Sequence, residues 1–183
     1  MIALLIILAL VVLVGYYIYK TQRELVNLDE MATNSFNQIA VQQNSRWDAI
    51  SSLVAMTEKY SKHEHDTLVE VIGERNKGTS ATAAEINAQE NALTQALGRL
   101  IAVREAYPEL KADGMFNKTM DSINEYENLV RTSRMVYNDS VTKINRMVRQ
   151  WPSSFVAGLL HFGKRDYLEV PDEKKDMPPI NNN

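Results

Sequence analysis

The chain opens on an unbroken apolar run. "MIALLIILALVVLVGYYIYK" is apolar from Ile2 to Tyr19 and meets its first charged side chain at Lys20. Wound as a helix, this run rises about 27 Å, close to the hydrocarbon thickness of a bilayer. Tyr16, Tyr17 and Tyr19 gather at one end, where an aromatic belt would sit. No Lys or Arg precedes the run and no A-x-A motif follows it, so it reads as an uncleaved anchor and not a signal peptide.

Past the anchor the apolar positions thin into a stripe. Leu25, Leu28, Ala32, Phe36, Ile39, Trp47, Ile50, Val54, Thr57, Ser61, Leu68 and Val71 fall mostly at helical steps, with gaps, and neither glycine nor proline lies between Tyr16 and Ile72. The pattern predicts one very long helix, continuous with the anchor and ending near Gly78, about 110 Å in all. Thr82 and Glu85 have capping-box spacing and start a second helix carrying Ile86, Leu93, Leu97, Leu100, Ile101 and Val103. Pro108 ends it by disfavouring helical dihedrals at Tyr107. Asp113 is the N-cap of a third helix that runs to Gln150 and is closed by Pro152. "SSFVAGLLHFG" (153–163) is a short apolar element, one or two turns folded onto the bundle or onto a surface. The residues after 168 are polar and proline-bearing, too poor in apolar side chains to order themselves.

Estimated lengths suggest how the helices meet. A second helix running back along the first, with the third turned outward beside both, leaves the first helix uncovered between the membrane and Trp47. Leu25, Leu28, Ala32, Phe36 and Ile39 then form a bare stripe, for which the same stripe on a neighbouring copy is the available partner. The five are the expected homo-oligomer interface.

The apolar stripe of the third helix falls at Phe116, Met120, Ile123, Val130, Tyr137, Val141, Ile144, Val148 and Trp151, and Glu127 and Arg134 interrupt it one heptad apart. A buried charge needs a counter-charge. Arg46 and Asp48 on the first helix and Arg104 and Glu105 on the second supply both signs. These six residues suggest a polar layer across the bundle that fixes helix register. A catalytic carboxylate is disfavoured there, because uniform heptads leave no pocket.

Charge and composition narrow the chemistry. A net charge of −3 gives no electrostatic footprint for nucleic acid, and the absence of cysteine excludes disulfides, thiolate nucleophiles and a lipoprotein anchor. His63, Glu64, His65 and Asp66 are metal-ligand types, but His63 and His65 point about 200° apart on a helix. Helical zinc pairs need i, i+4 spacing, so the stretch reads as solvated or as capping a packing contact. No phosphate-binding glycine loop and no nucleophile elbow occurs. No catalytic, cofactor or metal residue is assigned.

Several blocks, in order, resemble the LemA family: "SFNQIAVQQNSRWDAISSLVAMTEKYSKHEHDTLVEVIGER", "LGRLIAVREAYPELKAD" and "YENLVRTSRMVYNDSVTKINRMVRQWPSSFVAGLLHFG". Where the family usually carries Pro-Asn after its aspartate, this chain has Ser51-Ser52 after Asp48, and its first helix should run straight through. The resemblance implies an all-α, elongated helical bundle anchored in a bacterial cell membrane, with no established reaction.

The resulting picture is an anchor (1–20), a LemA-like bundle (21–168) and a disordered polar tail (169–183). The bundle is expected to have a very long first helix, an antiparallel second, a long third and a short C-terminal fourth. Its partners would be the lipid bilayer, itself and a further envelope protein, with no nucleic acid and no cofactor. The function expected is a non-enzymatic, self-associating membrane scaffold. The alternative is an adaptor or regulator that binds a specific envelope protein through an exposed helical face. Lys20 and Arg23 place the body in the cytoplasm by the positive-inside rule.

Overall fold

A computed structural model describes residues 1–60, 62–73 and 82–168. The described residues form six helices and no strand: α1 (Ile2–Thr57), α2 (Lys62–Gly73), α3 (Ala83–Ala106), α4 (Pro108–Ala112), α5 (Gly114–Arg149) and α6 (Ser153–Leu159). The fold is an all-α bundle led by a very long, apolar N-terminal helix. The expected disordered tail at 169–183 lies outside the described residues.

α1 keeps helical geometry through Asp48, Ser51 and Ser52, whose hydroxyls donate back to the carbonyls of Trp47 at 2.8 Å and Asp48 at 2.9 Å. It stops at Thr57, not near Gly78. The Thr57 hydroxyl donates to the Val54 carbonyl at 2.7 Å, and the chain reverses through Glu58–Tyr60. α2 is the helix that runs back along α1, bringing a ring nitrogen of His65 to 3.0 Å from the Val54 carbonyl oxygen.

The second predicted helix, α3, does not run back along α1. It begins with the capping box of Thr82 and Glu85. Its first turn lies beside Gln43, whose amide nitrogen donates to the Ile86 carbonyl at 3.0 Å, and from there it runs parallel to α1. Pro108 opens α4, a single turn where sequence suggested only a connector. Asp113 caps α5 by accepting from the amides of Met115 at 2.8 Å and Phe116 at 3.0 Å.

α5 therefore starts at the far end of α1 and returns along it. Phe116 and Ile123 pack with Leu53 and Val54, the Tyr137 ring lies 5.6 Å from that of Phe36, and Val141 and Ile144 join Leu28 and Ala32. The 36 residues of α5 reach about 54 Å, enough to cover α1 from Thr57 almost to its apolar run. The stripe expected to be bare is covered within the chain. Leu25, Ala32 and Ile39 are fully buried, Leu28 is 7% exposed and Phe36 is half-buried. The expectation that these five residues form an oligomer interface is thus corrected, because its premise, a third helix pointing away, is reversed.

After α5 the chain turns through Trp151 and Pro152 into α6, which rests on α1 and α5 through Val156 and Ala157. An extended strap follows and climbs back along α5. Asn145 exchanges two hydrogen bonds with the backbone of Arg165, and Asn138 two with that of Leu168, all at 2.9 Å. Tyr137 donates its hydroxyl to the Asp166 carbonyl at 3.0 Å. Arg165 also reaches Asp29 at 2.6 Å, tying the strap to α1.

Candidate functional site

Two clusters make up the apolar core. The outer one gathers Trp47, Ile50, Leu53 and Val54 with Leu93, Leu100, Phe116 and Ile123. The inner one gathers Leu28, Ala32 and Ile39 with Ile86, Val130, Tyr137, Val141 and Ile144. Between them lies a polar layer contributed by α1, α3 and α5. Glu90 is its centre. Arg46 donates to one Glu90 carboxylate oxygen at 2.7 Å. The other oxygen accepts from the Gln43 amide at 3.1 Å and lies 3.8 Å from an Arg134 guanidinium nitrogen. All four residues are buried.

Burial alone would push the Glu90 carboxyl up. The charge and hydrogen bond of Arg46, with Gln43 and then Arg134, outweigh burial and hold it below the ordinary carboxylate value. Arg134 is shifted down by burial, with Glu90 opposing and Arg46 adding to the shift. Two guanidinium groups thus share one carboxylate in a desolvated layer.

Of the six residues expected in a polar layer, the structure brings Arg46 and Arg134 together. The other four lie elsewhere. Asp48 is on the exposed side of α1. Arg104 is half-buried at the far end of the bundle, where it donates to Asn117 at 3.1 Å and pairs with Glu105 at 3.5 Å. Glu105 is exposed and bridges to Lys111 at 2.6 Å, and Lys111, ahead of Arg104, holds its carboxyl below the ordinary value. Glu127 is half-buried and pairs with Arg131 one turn along α5 at 3.3 Å. Glu90 and Gln43 are the members that sequence reasoning missed. The signal for both was a polar residue at an apolar step: Ile86–Glu90–Leu93 on α3, and Ile39–Gln43–Trp47 on α1.

Among the described residues no three His, Cys, Asp or Glu side chains gather to hold a metal ion. In the 63–66 stretch, Asp66 is exposed and His65 makes the contact with Val54, while the side chains of His63 and Glu64 lie outside the described set. Asp29, Glu30, Thr33, Asn34 and Asn37 line a shallow depression on α1 that is wide open to water.

The other functional end of the molecule is the apolar run of α1. Among the described residues α1 alone is long and apolar enough to cross a membrane, and none of them covers its apolar stretch.

A helical bundle whose long first helix begins with an apolar stretch fit to cross a membrane is a membrane-associated architecture. Residues 35–181 match the LemA family, and with most of the sequence covered the chain belongs to it. Among curated proteins, the magnetosome proteins MamQ 1 and MamQ 2 of Paramagnetospirillum magneticum are each 32% identical to it over 74 residues. Magnetosome protein MamQ of Magnetospirillum gryphiswaldense is 29% identical over 73 residues. Each alignment takes in 40% of this chain and 27% of the relative, so the match spans about a quarter of the relatives' length.

Proposed function

We propose that the protein is a non-enzymatic, single-pass membrane scaffold whose copies associate through the anchor helix. The observation that carries this reading is continuity. α1 runs without a break from the apolar stretch into the core of the bundle, so the body is rigidly coupled to the anchor. A body without a hinge holds whatever it binds at a fixed height above the bilayer. The stripe beyond the anchor is used up inside the chain, and the anchor itself offers a long apolar surface to another copy.

Cross-linking tests the association directly, since the native chain has no cysteine. Single cysteines placed in turn from Ile6 to Val14 and oxidised in native membranes should give dimers peaking every three to four positions, the period of a helix pair. Uniformly absent cross-links, with a second protein co-purifying on a small particle, would favour the adaptor reading instead.

The body lies on the cytoplasmic side in this proposal. Lys20 and Arg23 follow the anchor, and the return of α5 brings Arg146 and Arg149 to the same end of the bundle. A cysteine replacing exposed Lys118 should resist an impermeant thiol reagent until the cells are lysed. Labelling of intact cells would place the body outside.

A further inference from the structure

The end of α5 and α6 carry a second apolar surface, separate from the anchor. Phe155 and Leu159, one turn apart on α6, are 69% and 62% exposed, and Trp151 in the turn just ahead of it is 85% exposed. Their neighbours Val156 and Ala157 are buried against the bundle, so α6 has one face docked and the opposite face bare. Three large side chains exposed together differ from scattered surface apolar residues and call for a partner.

Position identifies the partner. Asn145 and Asp29 are held at one level because Arg165 bonds to both. The last turn of α5 continues from there toward the anchor, and α6 follows it, packed on α1. Beside α6 only about two turns of α1 remain before the apolar run ends at Tyr19. Thr21 and Leu25 in that stretch are buried at 5% and 0% exposure, so protein closes around α1 almost to the edge of the run.

Charge agrees with position. Below the level of Asp29 the exposed charged residues include Lys20, Arg23, Arg146, Arg149 and Lys164, with Glu24 on the acidic side. Arg146 and Arg149 also complement the dipole at the C-terminus of α5. A bare aromatic and aliphatic face rimmed by Lys and Arg matches the boundary between acyl chains and phosphate headgroups.

We propose that Trp151, Phe155 and Leu159 dip into the surface of the same bilayer that α1 enters, giving the bundle a second lipid contact that fixes its tilt and rotation about the anchor. This rests on the anchor reading above, and the test separates the two. Single cysteines replace Val12 in the anchor, Phe155 on α6 and Lys118 at the far end. Each full-length variant carries an environment-sensitive fluorophore and is reconstituted in vesicles of phosphatidylcholine and phosphatidylglycerol, with and without bromine on the acyl chains.

Brominated lipid should quench the labels at Val12 and Phe155 by about twofold or more and leave Lys118 unchanged, as expected for two membrane contacts at one end of a rod. Quenching at Val12 alone would overturn the α6 contact and leave the anchor standing. A Phe155 label that is blue-shifted but unquenched would overturn it too, because a second copy of the chain would then cover the face. No quenching at either position would overturn both the contact and the anchor.

Discussion

Glu90→Gln should destabilise the folded protein by about 3–5 kcal/mol, the usual cost of leaving a buried charge without its counter-charge. Glutamine keeps the size and some of the hydrogen bonding of glutamate, so the loss isolates charge. The Arg46 side chain is 1% exposed and that of Arg134 is 9% exposed, and the Glu90 carboxylate lies between them. Without it, both guanidinium groups lose the carboxylate they share out of water. Urea unfolding of detergent-solubilised protein, followed by helical circular dichroism, measures the loss. Arg46→Met, Glu90→Leu and Arg134→Met combined should recover most of it, because desolvation costs and attractions leave together. A neutral Glu90→Gln would show that the carboxylate is not what balances the layer.

Acid should reveal the same group. The folded-state carboxyl of Glu90 is held below its ordinary value of 4.5, so its contribution is complete above that value. It is lost as pH falls through the lower, folded-state value. The native protein should therefore lose stability more steeply on acidification than the variant in which all three charges are replaced. Parallel stability-against-pH curves for the two would contradict this.

The layer also shows what local pattern can and cannot convey. Helix starts at Thr82 and Asp113 and the stop before Pro108 were legible because caps and proline act within a few residues. The reversal after Thr57 left no such mark. Glu58, Lys59, Tyr60 and Ser61 suit a helix interior, and no glycine or proline falls among them. Periodicity names the face of a helix but not its direction, and it is the placement of Ile86 beside Gln43 that fixes the direction of α3. The polar-layer residues were partly legible for a related reason. A charge in the apolar stripe of α5 marks Arg134, and it marks Glu127 at the edge of the stripe as well. The same test on α3 finds Glu90.

Because α5 returns along α1, the inner stripe is core, and a substitution there has the second large effect. Ile39→Glu should cost more than about 4 kcal/mol, because it removes a large apolar side chain from the core and leaves an unpaired carboxylate in its place. Ile39 is fully buried, with Val130, Tyr137, Val141 and Ile144 of α5 in the same cluster. Typical domains are stable by only about 5–15 kcal/mol, so α5 should come away from α1 over the inner half of the bundle. Helical circular dichroism should fall without vanishing, since the anchor stays helical in detergent, and trypsin should begin to cut within α5. Val41→Glu is the control on the same helix. Val41 is 59% exposed, and its substitution should stay within about 0.5 kcal/mol. If Leu25, Leu28, Ala32, Phe36 and Ile39 instead joined two copies, Ile39→Glu would shrink the particle and leave helical content, melting and trypsin resistance at their native values. A smaller particle with an intact fold would therefore sink the intramolecular reading, and an unfolded inner half with Val41→Glu unaffected would secure it.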